Sequence, residues 1–243
     1  MNNNLVVTPE NSNYPRLNPI QRVYSAIFSP EKLMLDLAQK PRILFVLILT
    51  LIVPAATIFA AYPMYKEFLR STVENTYANM NIQMAPEQIE QAVNVGAISG
   101  IVMGAISAAA IWFLEALILW IIIKVFKGEG TYKHYLSITG YTAVISLISG
   151  IVFVITAQIT GTYTEVSFTS LAALLPDMKG SFLYGAAKSL DVFSVWQLVL
   201  VAIGIETVGK LSKKKAYLIV ACILIVFMVF TGVTEVRTAG LIN

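Results

Sequence analysis

The stretch IWFLEALILWIII, residues 111–123, sets a single carboxylate, Glu115, among large apolar side chains. Its meaning depends on whether the stretch lies in a membrane, where an ionisable residue is costly and marks a functional site by default. Composition answers first. Hydrophobic residues make up 57% of the chain and charged ones 13%, and the mean hydropathy is +0.73. A water-soluble domain cannot hide that much apolar surface, so lipid is the solvent for much of the chain. The net charge of +3 is small, and nothing in it points to a nucleic-acid partner. Cys222 is the only cysteine and His134 the only histidine. That removes a disulfide framework, most zinc sites and Ser-His-Asp chemistry.

Apolar runs of about 20 residues read as membrane helices. Five occur, at about 43–62, 96–124, 136–159, 191–209 and 216–234. Pro54 predicts a kink in the first. The second exceeds one bilayer's need, so it is expected to tilt or to project into the outer aqueous phase. An inside N-terminus puts 12 of the 17 Lys and Arg residues on the cytosolic side, as the positive-inside rule requires. The anchors next to the spans there are Lys124, Lys127, Lys210, Lys213, Lys214 and Lys215. The expected fold is an all-α, polytopic membrane protein: a five-transmembrane-helix bundle, N-terminus cytosolic and C-terminus outside.

Residues 1–18 are polar, lack a signal peptide's apolar core, and are expected to form a retained, loose arm. Residues 19–243 then form one membrane domain. In its first element, 19–41, Ser29 can cap a helix whose first turn holds Pro30 and Glu31. Leu33, Met34, Leu37 and Ala38 follow at helical spacing. An amphipathic helix on the cytosolic membrane surface is expected, alone or packed on the end of the bundle. The external loop 63–95 holds two helical candidates, opened by Pro63 and Pro86. The loop 160–190 holds SLAALL and GSFLYGAA, expected to lie at the membrane interface.

Helical spacing predicts where Glu115 points. Gly96, Gly100 and Gly104 recur every four residues and Ala108 continues the stripe. Such ladders let membrane helices approach closely. Glu115 lies eleven residues beyond Gly104, about three turns plus roughly 20°, and so on the same face. It is expected to look into a packed helix interface, not at lipid. Lys124 is roughly 180° away and about 13 Å nearer the cytosol, which puts Glu115 near mid-membrane. Ser146 and Thr50 fall at similar depth, Tyr141 nearer the cytosol and Gln197 nearer the outside. These five residues form the candidate intramembrane polar site. No Lys, Arg or His lies at that level, so the acid is expected to be hydrogen-bonded between helices, to respond to a proton or substrate, or to pair with a separate subunit. Glu206 is expected to pair with Lys210 one turn on, and His134 to be a solvated loop residue. The lysine cluster reads as a topology anchor and as a weak site for anionic lipid.

The chain has no HExxH, nucleophile elbow, P-loop or dinucleotide-binding glycine pattern. No cofactor and no metal is expected. A lone acid cannot supply an acid/base pair, so an enzyme is not the expected reading.

Three stretches, SPEKLMLDLAQKP at 29–41, FKGEGTYKHYLSITGYTAVISLI at 126–148 and LDVFSVWQLVLVAIGIETVGKLSKKKA at 190–216, resemble the Ypt-interacting-protein (YIP) family of five-span membrane proteins, in its prokaryotic branch. The third is the most specific, with its Asp-hydrophobic-Phe-Ser opening, Trp196, Gly204 and basic link. The resemblance implies an all-α, non-enzymatic protein of the prokaryotic cytoplasmic membrane. Eukaryotic members associate with Rab-type GTPases in vesicle traffic. This chain lacks the Asp-Leu-Tyr-Gly-Pro type of stretch of their cytosolic arm, so small-GTPase binding is not carried over. The expected function is a non-catalytic membrane scaffold or accessory protein that contacts lipids and binds other membrane proteins, a transporter complex among them. The alternative is a small transporter or channel using Glu115.

Overall fold

The computed structural model describes residues 16–164 and 166–242. Most of the expected N-terminal arm lies outside them, but Leu17 is buried and the Asn18 side chain caps the first helix, so the fold begins before residue 19. The described residues form ten α-helices and two short 3-10 turns, and their only β-pairing is an isolated bridge between Ser170 and Asp191.

The single helix expected over 19–41 is two, α1 (Pro19–Phe28) and α2 (Pro30–Gln39). Pro30 cannot continue α1 because it has no N–H and its ring crowds the preceding turn; it starts α2 instead. The pair folds into the bundle and is more than a surface float. Leu33, Met34 and Leu37 are fully buried, and a β-carbon on Gly204 would stand 3.2 Å from the Met34 sulfur. An ion pair of 2.5 Å between Arg22 and Asp36 joins α1 to α2, at 1% and 9% exposure. The outer face of α1 shows Ile20, Tyr24 and Phe28 at one-turn spacing.

The first expected span is α3 (Leu44–Ala60). Pro54 sits inside this continuous helix, and the sharp change of direction, 80°, comes at its junction with α4 (Tyr62–Asn79), where Pro63 sits in the first turn. The second span and the helix predicted to open at Pro86 are one element, α5 (Pro86–Val125), 40 residues long. At 1.5 Å per residue it extends about 60 Å, twice the hydrocarbon thickness. The third span is broken mid-way into α6 (Tyr132–Thr142) and α7 (Ile145–Thr160). After two 3-10 turns, Leu171–Leu174 and Pro176–Met178, comes α8 (Phe182–Lys188), and then α9 (Val192–Gly209) and α10 (Lys213–Ile242). The segment GSFLYGAA forms α8, whose Tyr184, Gly185, Ala186 and Ala187 are buried, and which docks on the C-terminal half of α10 through a 2.6 Å Lys188–Glu235 ion pair.

Among the described residues α5, α9, α10 and the α6–α7 run Tyr132–Thr160 taken as one are long and apolar enough to cross a membrane, and the bent α3–α4 pair brings the count to five. The core gathers where α2, α3, α5, α6 and α9 meet, around Leu37, Val46, Ile123, Tyr135, Ile138 and Ile205. By contrast, only 22% of the apolar window of α5 is buried, so most of its surface faces lipid or a partner.

Candidate functional site

Glu115 is built into α5 beside the stripe that binds this helix to its neighbours. Trp112, one turn before it, is 4% exposed, and its indole N–H donates to the Leu136 carbonyl and the Thr139 hydroxyl, both at 3.1 Å. Ala116, Leu119 and Ile123 continue that buried stripe along α6. The register of α5 is thus fixed by an aromatic hook, and Glu115 is carried on the flank of the contact.

The glycine stripe packs as small residues allow, but only over part of its length. Gly96 faces Leu69 and Gly104 faces Ile58, each with room for ordinary contact to an added β-carbon at 3.8 Å. At Gly100 a β-carbon would collide with the Tyr65 hydroxyl. These partners belong to α4 and α3. Below Gly104 the contact opens. Ala108 and Glu115 line a groove of about 310 Å³ instead of a closed interface. Its other walls are Thr50, Val53 and Pro54 of α3, Gly140, Ala143, Ser146 and Leu147 around the α6–α7 break, and Gln197 of α9.

The expectation that Glu115 is sealed between helices is therefore corrected. Its side chain is exposed at the surface of the chain, although groove walls crowd it on several sides. It makes no hydrogen bond or ion pair with a described residue. The space exists because small residues surround it and because the third span breaks there. At Ala143–Val144 the backbone switches to i→i−3 bonds, with Ser146 N–H donating to Ala143 at 2.9 Å and Leu147 N–H to Val144 at 2.9 Å. Ala143 and Val144 both keep right-handed helical dihedrals, so the junction is a tight 3-10 turn within one span.

The groove unites four of the five residues singled out from sequence: Thr50, Glu115, Ser146 and Gln197. The Thr50 hydroxyl donates to the Val46 carbonyl at 2.8 Å. Pro54 has no N–H to return to the Thr50 carbonyl, so α3 presents a backbone acceptor on the groove wall. Tyr141 does not join them. It is fully buried on another face of α6, with the Arg22 guanidinium 5.4 Å from its ring centre. Sequence reading missed Trp112, Gly140 and the Arg22–Asp36 pair. Gly140 alone carried a local signal, since a β-carbon there would press on Val46 and Trp112 at 2.7 and 2.9 Å.

Around the groove the polar frame also differs from expectation. Lys210 ends α9 in the left-handed region (φ 50°), which turns its side chain from Glu206 to Glu129 at 2.8 Å. His134 is not a free loop residue: its ring nitrogens lie 2.8 Å from the Thr131 hydroxyl and 3.2 Å from the Ala38 carbonyl, which ties α6 to the end of α2. At the far end of α5, Arg70 and Lys66 embrace Glu90, and these two cations hold its carboxyl at about 2, well below the usual range. Lys124 donates to the Gly128 carbonyl at 3.4 Å.

Chemically, the groove offers one carboxyl, two hydroxyls, one amide and a backbone acceptor. Glu115 is the only acid or base on its walls. Such a set can hydrogen-bond or ion-pair a visiting polar group but supplies no second titratable partner for proton transfer. Among the described residues, no three His, Cys, Asp or Glu side chains cluster as metal ligands.

Comparison with known proteins agrees with the all-helical membrane architecture. The family model of the Yip1 domain matches residues 24–234. A curated relative, the membrane protein YknW of Bacillus subtilis (strain 168), is 29% identical over 215 residues, covering 86% of this chain and 89% of its own length. No solved structure gives a significant match.

Proposed function

The chain belongs to the Yip1-domain family of integral membrane proteins, and from that premise we propose that it is a non-catalytic accessory protein that binds another membrane protein, a transporter complex among the candidates. The observation that carries this reading is the Glu115 groove: open at the surface, lined in part with polar groups, and holding an acid that no described residue pairs. A carboxyl at that depth costs on the order of 3 kcal/mol when it faces hydrocarbon. A partner helix that presents a Lys, an Arg or a hydrogen-bond donor offsets that cost. The apolar residues beside it, Leu114, Ile118 and Ile121, are 47–55% exposed and extend the docking face along α5. In this reading the chain has five spans, with α3 as the first, its N-terminus inside and its C-terminus outside, in keeping with the distribution of Lys and Arg.

The test is site-specific photocrosslinking from Ile118 in native membranes. The expected product is one defined heteromeric adduct that Glu115→Leu abolishes. Adducts confined to lipid, or an adduct indifferent to residue 115, would overturn the reading.

One observation favours a second reading, a small transporter or channel: the polar groove coincides with the break between α6 and α7, as substrate sites in transporters coincide with discontinuous helices. Purified protein in liposomes decides it. Proton-linked flux that Glu115→Gln changes without loss of folding would favour transport over docking.

A further inference from the structure

The two links at the lysine-rich end of the bundle are distant in sequence but form one surface. The Glu129 N–H donates to the Gly209 carbonyl at 2.9 Å, and Gly128 packs so closely that its β-carbon would stand 3.1 Å from the same oxygen. This contact puts residues 124–133 beside residues 210–215. Together they carry seven lysines and one carboxylate, Glu129. Glu129 is already taken by Lys210, and Lys124 is tied to the Gly128 carbonyl. Lys213 lies 5.9 Å from the centre of the Tyr217 ring. Lys127, Lys133, Lys214 and Lys215 remain, all exposed and without an ion pair to a described residue; of these, Lys127, Lys214 and Lys215 stand beside exposed apolar side chains.

Lys214 and Lys215 occupy the first turn of α10, where the helix dipole is already positive and no acidic residue balances it. Lys127 follows the end of α5, and its left-handed backbone (φ 59°) belongs to the helix cap in which the Gly128 N–H donates to the Ile123 carbonyl at 2.8 Å. The positive charge gathered on the joined links repels itself unless an anion is near. The neighbouring side chains say where that anion is. Val125 and Phe126, next to Lys127, are 74% and 44% exposed, and Leu218, just past Lys215, is 58% exposed. Apolar groups so placed belong in acyl chains. They hold the adjacent ammonium groups at the level of lipid phosphates, with their stems snorkelling along the interface.

We infer that Lys127, Lys214 and Lys215 form a binding site for the phosphodiester headgroup of an anionic phospholipid. The site is separate from the Glu115 groove and stands whether or not that groove docks a partner. It collects negative lipid around the joined links, with each free lysine contributing up to about fivefold in preference over a zwitterionic lipid. Lysine suits this task, because its ammonium is a compact point charge on a flexible stem.

The test uses the full chain in vesicles of phosphatidylcholine and phosphatidylglycerol, with bromine on the acyl chains of one lipid at a time. Trp120 lies one turn from Lys124 and against Tyr132 (ring centres 6.2 Å apart), so with the exposed Trp196 removed throughout by Trp196→Phe and Trp112 buried, it reports quenching at this end. Brominated phosphatidylglycerol is expected to quench at several-fold lower mole fraction than brominated phosphatidylcholine. In the triple variant Lys127→Gln, Lys214→Gln, Lys215→Gln the two lipids become equivalent, while quenching by brominated phosphatidylcholine stays unchanged, which reports an intact fold. Equal quenching by both lipids in the protein with its lysines intact, or an undiminished preference in the triple variant, would overturn the inference. Sodium chloride should weaken the preference gradually. If glycerol phosphate abolishes it where sodium chloride of equal ionic strength does not, the ligand is a soluble phosphate and the lipid assignment fails.

Discussion

Replacing Glu115 with leucine should strengthen the isolated chain while weakening its association with a partner. An acid that acted as glue between helices would give the opposite result: its loss removes an interhelical hydrogen bond and costs about 0.6–2 kcal/mol. Glu115 makes no such bond to a described residue, and its side chain is exposed. In lipid its removal therefore relieves a desolvation penalty. Insertion scales put a central acid near 3 kcal/mol unfavourable and leucine slightly favourable. Thr50, Ser146 and Gln197 stand in the same groove and recover part of the penalty, so a gain of about 1–3 kcal/mol is expected. For a chain of this size that is a rise of several degrees in thermal midpoint, at about 2–4 °C per kcal/mol. The assay is thermal unfolding of the full-length protein in one detergent, read by Trp fluorescence, beside crosslinking in native membranes. Stabilisation with loss of the adduct is the signature of a residue kept for binding. A drop of 1 kcal/mol or more in the isolated chain would return Glu115 to an internal structural role and refute the argument.

Breaking the buried pair at α1–α2 should be severe. Asp36→Ala leaves Arg22 buried without its anion and costs about 3–5 kcal/mol, whereas Arg22→Met with Asp36→Leu recovers most of it in the same unfolding assay. Gly100→Ala drives a methyl group into the Tyr65 hydroxyl and should cost about 1–3 kcal/mol, largely relieved by adding Tyr65→Phe. Trp112→Phe removes a side-chain donor shared by two acceptors on α6, with an expected loss of about 1 kcal/mol and a looser α5–α6 distance between spin labels. The Glu90 carboxyl is held down at about 2 by Arg70 and Lys66. Its support of the α4–α5 contact is therefore complete above the ordinary carboxylate range and fades as pH falls towards 2. Label distances between α4 and the start of α5 should hold at pH 5 and widen only in strong acid, and Glu90→Gln should widen them at neutral pH.

The spans were legible because length and hydropathy act through bulk solvent, which needs no neighbour to be known. The polar set was legible for a related reason. Depth follows from counting residues along a helix, and Thr50, Glu115, Ser146 and Gln197 do share one groove. What failed was azimuth. Alignment with the glycine stripe predicted a closed interface, but closure depends on what the opposing helix offers. Ile58 covers Gly104, whereas beside Ala108 the α3 wall of Leu49, Thr50, Val53 and Pro54 leaves a groove, and the third span turns at Ala143–Val144, where no Pro or Gly marks the turn. Tyr141 failed on the same ground, since a shift of a few residues along α6 carried it to the face packed under Arg22. The Arg22–Asp36 pair was invisible because its members are fourteen positions apart on two helices whose fold-back no local pattern specifies.

The unpaired acid gains meaning from where the chain's cations are. Arg22 is spent on Asp36, Lys210 on Glu129, Lys188 on Glu235, and Lys66 and Arg70 on Glu90. None of the groove's walls carries a Lys, Arg or His. Among the described residues these ion pairs leave Glu115, on the groove wall, without a cation. A sequence under no demand beyond stability gains by placing leucine there, since Glu115 bonds to no described residue and stands beside the exposed Leu114 and Ile118. In the docking role proposed above, an acid that makes no bond to a described residue acts as a specificity element: it favours those neighbours that bring a matching polar group. It follows that a partner helix with its matching donor replaced by leucine should bind more weakly to this protein, but no more weakly to its Glu115→Leu variant. That double-mutant comparison locates the coupling in one contact; equal losses against both forms would place the affinity elsewhere on α5.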